Sequence, residues 1–140
     1  MKRIHLERTL PAPPERVWEL IVDPDQYREW TAAFSPGSEF VGSWETGAKI
    51  RFVAADASGV ESGMLSEIAE SRWPESISIR HIGLLAEGVE DYDSPMARAW
   101  TPAYENYRLT PTPEGGCVFE LDQDVPEDAV EEFTVSWEKA

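Results

Sequence analysis

The sequence predicts an α+β fold: a curved antiparallel sheet of about seven strands, two short helices after the first strand, and a C-terminal helix across the concave face. Three observations predict it. An alternating apolar stretch at the start gives way to two helical stripes, most of the remaining chain alternates with period two, and a helical period returns after Pro126. Consecutive strands with short joints make an antiparallel meander. A meander of this length twists too much to stay flat, so it wraps around the helix that follows it.

Ile4, Leu6 and Leu10 share one parity and His5, Glu7 and Thr9 the other, which is a half-buried strand at about residues 3–10. In PAPPERVWELIVDP the period changes. Val17, Leu20 and Ile21, flanked by Trp18 and Val22, form a helical stripe; Pro13 and Pro14 suit a first turn, and Pro24 ends the helix. A second helix starts at once, with Asp23 as N-cap, Pro24 at N1 and Gln26 at N3. Tyr27, Trp30 and Phe34 follow in it at helical spacing. After Ser35-Pro36-Gly37, strands are expected near residues 38–44, 48–55, 61–71, 75–83, 103–110 and 116–124. Thr46-Gly47, Ser58-Gly59, Trp73-Pro74 and Pro113-Glu114-Gly115-Gly116 code turns at their joints. Leu84 to Pro102 reads as a long connection carrying Glu87, Glu90, Asp91 and Asp93, a length that suits a mobile cover over a binding site. From Pro126 onward Val130, Phe133 and Trp137 share one helical face, and the acidic first turn suits the helix dipole.

One domain over residues 1–140 is expected, since a chain of 140 residues is of ordinary single-domain size. Its 12 basic and 27 acidic residues leave a net charge of −15, which repels phosphate backbones and anionic lipid head groups. Neither nucleic acid nor a membrane is therefore expected as a partner; a homodimer is compatible with the composition. Only Lys2, Lys49 and Lys139 are lysines, and the acidity reads first as a solvated surface. Cys117 is the sole cysteine, so neither an intrachain disulfide nor a cysteine-cluster zinc site is available. The start, MKRIHLERTL, lacks an apolar core, and no stretch approaches the roughly 20 apolar residues of a membrane span. A cytoplasmic protein is expected. His5 and His81 have no partner at metal-ligand spacing, and the run Glu87 to Asp93 lacks the spacing of a calcium loop, so no metal site is expected. No GxGxxG, P-loop or GxSxG occurs, which leaves nucleotide cofactors and serine-hydrolase chemistry without support.

The segment LERTLPAPPERVWELIVDPDQYREW, the meander after it, the strand AYENYRL and the final FTVSW helix together resemble the START-like (SRPBCC) superfamily. Within it the chain is most similar to the branch related to the activator of heat-shock protein 90 ATPase. The resemblance implies the helix-grip fold, with a cavity between sheet and last helix. It also implies one of three roles. The first is binding of a small, mostly apolar molecule, lipid-like or aromatic. The second is an enzyme of cyclase, dehydratase or hydrolase type, and the third a protein-interaction domain like the chaperone activators. The final helix is shorter than is usual in that family, so the cavity is expected to be less fully covered.

In such a fold strand parity decides what faces the cavity. Glu105, Tyr107 and Leu109 share one face, and Phe119 and Leu121 lie opposite, while Asn106, Arg108, Glu120 and Asp122 point to water. Ile77, Ile79 and His81 share a face, as do Phe52 with Ile50, and Met64 with Ser66 and Ile68. Glu105, Tyr107 and His81 are the acid–base candidates, because burial of such groups moves their protonation toward neutral pH. The same residues equally suit ligand orientation without catalysis. Trp18, Trp30, Phe133 and Trp137 read first as core or staple residues. Tyr92 and Trp100, in the long connection, are the better ligand-stacking candidates. The expected ligand cavity thus comprises Phe52, Met64, Ser66, Ile79 and His81 from one half of the sheet. Trp100, Glu105, Tyr107 and Phe119, with Phe133 and Trp137 of the last helix, complete it.

Overall fold

In the computed structural model, which describes all residues except Ala33, Ser35, Pro36, Asp56 and Ala140 and the side chains of Glu138 and Lys139, the chain begins with β1 (Lys2–Leu10). Two helices follow, α1 (Pro14–Val22) and α2 (Pro24–Thr31). Five strands come next: β2 (Ser38–Gly42), β3 (Lys49–Ala55), β4 (Glu61–Arg72), β5 (Ser76–Ala86) and β6 (Val89–Asp91). A short helix α3 (Pro95–Trp100) precedes β7 (Ala103–Pro111) and β8 (Cys117–Val125). A 3₁₀ turn at Glu127–Ala129 then leads into α4 (Val130–Lys139). The strands form one antiparallel sheet in the order β1-β8-β7-β5-β4-β3-β2, with β6 paired to β5 off that path.

Local chemistry accounts for the helical corner. Pro13 and Pro14 place fixed φ angles where the first N–H groups have no helical acceptor. Asp23 then closes α1 and opens α2, its carboxylate accepting from the Gln26 N–H at 3.0 Å. The apolar stripe of α1 buries Val17, Trp18 and Ile21 in the main core with Ile77, Ile79 and Leu121 of the sheet. Each of these side chains is worth roughly 1.5–3 kcal/mol of transfer free energy when fully buried. The inward parity of β7 is as expected, with Tyr107 opposite Leu121 and Leu109 opposite Phe119. Gly63 lets β3 and β4 close up, because a Cβ there would fall 1.8 Å from the Phe52 carbonyl oxygen.

Residues 84–102 correct the expectation of a long loop. Strand β5 continues to Ala86, turns at Glu87 and Gly88 with φ of 50° and 79°, and returns as β6. A two-residue hairpin turn of this kind needs positive φ at both positions, and glycine supplies one of them without strain. Ser94 then caps α3 by accepting from the Ala97 N–H at 3.1 Å. The sheet therefore has eight strands among the described residues, one more than expected. Helix α4 packs on the concave face, where Trp137 meets Tyr107 and Phe119 of β7 and β8. Among the described residues no helix is long and apolar enough to cross a membrane.

Candidate functional site

A cleft of about 510 Å³ opens between the concave face, α2 and α4. Its walls are aromatic because two amphipathic helices turn their stripes toward each other. Trp30 of α2 stacks on Trp137 of α4 with centroids 5.6 Å apart, and Phe34 meets Trp137 edge-on at 4.9 Å. Phe133 leans on Trp100 of α3 at 5.7 Å, which closes the far side. The floor is Phe52 and Met64, directly opposite each other on β3 and β4.

One polar network interrupts this surface. The His81 Nδ1 lies 2.6 Å from the Ser66 hydroxyl and its Nε2 lies 3.0 Å from Glu105 Oε1. Tyr107 donates its hydroxyl to Glu105 Oε2, and the Gln123 amide donates to Oε1 at 3.3 Å. The Trp137 indole N–H donates to Gln123 Oε1 at 2.7 Å. The order of donors follows from the ends of this chain. An indole N–H can only donate, so Gln123 presents its oxygen to Trp137 and its amide nitrogen to Glu105. Glu105 is thereby an acceptor from both Tyr107 and Gln123. With Glu105 as a carboxylate, His81 donates from Nε2 and takes the Ser66 hydroxyl at Nδ1. Burial, then the charge and hydrogen bond of Glu105, pushes the Tyr107 phenol well above its ordinary range, so it stays a proton donor. The His81 and Glu105 side chains are 7% and 14% exposed, enough to present the pair to the cleft and too little to wash it with solvent. An imidazole and a carboxylate in hydrogen-bond contact at a cleft are the parts that general acid–base work needs.

Of the expected cavity residues, Phe52, Met64, His81, Trp100, Glu105, Phe133 and Trp137 line the cleft. Ser66, Ile79, Tyr107 and Phe119 lie beneath its surface instead. Ile79 is fully buried, Ser66 orients the imidazole from behind, and Tyr107 reaches Glu105 from below. Phe119 packs between Tyr107 and Trp137. The reason is the placement of α1, which covers the half of the concave face that holds Ile77, Tyr107 and Leu109. Tyr92 is also outside the cleft. It is half-exposed, donates to Glu90 and lies against Gly83. Sequence reasoning missed Tyr27, Trp30 and Phe34 as wall residues, and Gln123 as a member of the network. The parity of Cys117, Phe119 and Leu121 extends to Gln123 and was the available signal. Among the described residues no group of three or more His, Cys, Asp or Glu is arranged to hold a metal ion.

A family model described as polyketide cyclase / dehydrase and lipid transport matches residues 1–139. No curated protein matches the chain. Among solved structures, DynU16 from the dynemicin biosynthetic locus superposes with a TM-score of 0.70 at 18% identity, over 99% of this chain. The chain spans only 44% of DynU16. A protein from Rhodobacter sphaeroides superposes with a TM-score of 0.70 at 22% identity, covering 99% of this chain and 86% of the other. Protein MLL2253 from Mesorhizobium loti gives 0.68 at 18% identity, with 99% and 93% covered. At these identities the likeness is one of fold.

Proposed function

The chain belongs to the polyketide cyclase / dehydrase and lipid transport family, within the START-like superfamily, and from that premise we propose that it binds a small, mostly apolar molecule, lipid-like or aromatic, in the cleft above Glu105. The observation that carries this reading is the pairing of an aromatic wall with a single polar network at its base. A cleft of about 510 Å³ is within the range of small-molecule sites, roughly 300–1,000 Å³, and apolar walls with a few placed polar groups are their usual chemistry. A core that needed no ligand would be filled by side chains at close-packed density.

The test uses N-phenyl-1-naphthylamine, a neutral probe whose fluorescence rises in apolar surroundings. The wild-type protein is expected to bind one equivalent, with energy transfer from Trp30 and Trp137. Met64→Trp fills the floor of the cleft and is expected to weaken binding at least about tenfold, or roughly 1.4 kcal/mol. Equal binding by both proteins would place the probe elsewhere and refute the proposal.

A second reading is supported by the His81–Glu105 pair itself, an imidazole hydrogen-bonded to a carboxylate at the base of an apolar cleft, which suits acid–base catalysis of the cyclase, dehydratase or hydrolase kind. A protein-interaction role like that of the chaperone-activator branch draws on the acidic surface alone, and nothing in the cleft supports it.

A further inference from the structure

Tyr27 is 7% exposed, its ring held by Trp30, Phe40, Trp44 and Phe52 at centroid distances of 5.2, 5.2, 6.3 and 6.1 Å. Among the described residues only the Trp44 indole N–H is sealed from solvent without a partner. The Tyr27 hydroxyl has no hydrogen-bond partner among them either, and it opens to solvent through the cleft its ring lines. The buried ring thus presents its hydroxyl to the cleft as a fixed donor and acceptor.

Glu105 shows the complementary surplus. A carboxylate has about four acceptor positions. Three are used, by His81, Tyr107 and Gln123. The remaining one belongs to a side chain that lines the same cleft. Phe52 stands between Tyr27 and the His81 that holds Glu105, its ring 6.1 Å from the Tyr27 ring and 5.9 Å from the His81 imidazole. Burial first, and then the charge of Glu105, pushes the Tyr27 phenol above its ordinary range, so the two side chains sit in each other's field and Tyr27 keeps its proton.

We infer that the cleft selects a ligand bearing a neutral hydroxyl, an alcohol or phenol on an apolar body, with that hydroxyl accepting from Tyr27 and donating to Glu105. This rests on the cleft being the binding site, as proposed above. The chemistry of the alternatives decides for the hydroxyl. A ketone can accept from Tyr27 but sets its lone pairs against Glu105. A carboxylate or phosphate does the same with a full charge, inside a protein of net charge −15. An ammonium satisfies Glu105 yet offers Tyr27 no acceptor. Of these groups the hydroxyl alone both accepts from Tyr27 and donates to Glu105.

The experiment compares 2-naphthol with 2-methylnaphthalene, which has the same shape and no hydroxyl, and with 2-naphthylmethylamine, each titrated by tryptophan quenching at neutral pH. The wild type is expected to bind 2-naphthol at least about tenfold more tightly than 2-methylnaphthalene, although the latter is the more hydrophobic. Tyr27→Phe is expected to bring that ratio close to one. Equal affinity of wild type for naphthol and methylnaphthalene overturns the inference and leaves the cleft proposal standing. Tighter binding of the amine overturns it in favour of a cationic ligand. If none of the three binds, both the inference and the proposal fail. The wild-type ratio alone decides the matter should Tyr27→Phe fail to fold.

Discussion

Glu105 is the residue on which binding and catalysis divide. Its position was legible in the sequence, because a one-residue slip of β7 would have buried Arg108 in place of Tyr107 and Leu109, at far greater cost. The rest of its surroundings were less so. Tyr27 and Trp30 show helical spacing, but spacing places them on a stripe and does not say whether the stripe meets core or cleft. Strand parity puts Gln123 on the inward face, but its part in the network depends on the Trp137 indole N–H that donates to it from the last helix. Replacing Glu105 by Gln preserves size while removing the carboxylate that is hydrogen-bonded to His81. If the pair is catalytic, wild-type protein will exchange the α-protons of a bound apolar ketone such as 2-tetralone for deuterium, read by proton NMR. Glu105→Gln is then expected to lose that exchange by at least about 10²-fold, with probe affinity changed only a few-fold. Exchange by the variant at the wild-type rate would remove Glu105 from any catalytic role, and absence of exchange in the wild type would remove this enolising chemistry.

Among the elements, β1 is the one whose attachment depends most plainly on charge. It is an edge strand, paired only with β8, and two ion pairs reinforce the ladder: Arg3 to Asp124 at 2.9 Å and His5 to Asp122 at 2.8 Å. Asp124 also accepts from the Tyr104 N–H at 3.0 Å and so ties β1 and β7 to the strand that carries Gln123. Burial raises the Asp124 carboxyl, but the hydrogen bonds from Arg3 and Tyr104 and the charge of Arg3 outweigh it and carry it below its ordinary value of 3.8. A depressed folded-state value means stability that is fully present above 3.8 and is lost as pH falls through the folded value. His5 runs the other way. Its hydrogen bond to Asp122 raises it above 6.5, so its small, exposed contribution is present below that value and fades as pH rises. The stability difference between wild type and Asp124→Asn, measured by urea unfolding, should therefore be constant from about pH 5 to pH 7 and shrink between about pH 4 and pH 2. A difference that persisted undiminished at pH 2 would show that the carboxylate charge is not what holds the strand. The strand itself was easy to read by alternation, whereas the β5–β6 hairpin was not. Its turn is marked by a single glycine, Gly88, and the partner strand is only three residues long, too short for a period to declare itself.

For the whole molecule the dominant fact is that 27 carboxylates share the surface with 12 basic residues, so a net charge of −15 survives whatever pairing occurs. Most of the pairs that form are exposed, as with Arg16 and Glu19, whose side chains are 47% and 63% exposed. Pairs of that kind contribute about 0–1 kcal/mol each and are themselves screened by salt. Salt therefore has two opposite effects, weakening these few pairs and relieving repulsion among the carboxylates that have no counterpart. Repulsion acts between every uncompensated charge within a Debye length, about 10 Å at 0.1 M, and on this surface such neighbours outnumber the pairs. Relief of repulsion should win. Raising sodium chloride from about 0.02 M to about 0.5 M is expected to raise the thermal midpoint by roughly 3–5 °C, the range that about 1 kcal/mol spans for a chain of this size. The same addition should leave the affinity for a neutral naphthol nearly unchanged, because the ligand carries no charge for the screened surface to attract or repel. A midpoint that fell with salt would mean that the surface pairs outweigh the repulsion, and the acidity would then need an explanation other than a solvated, self-repelling shell.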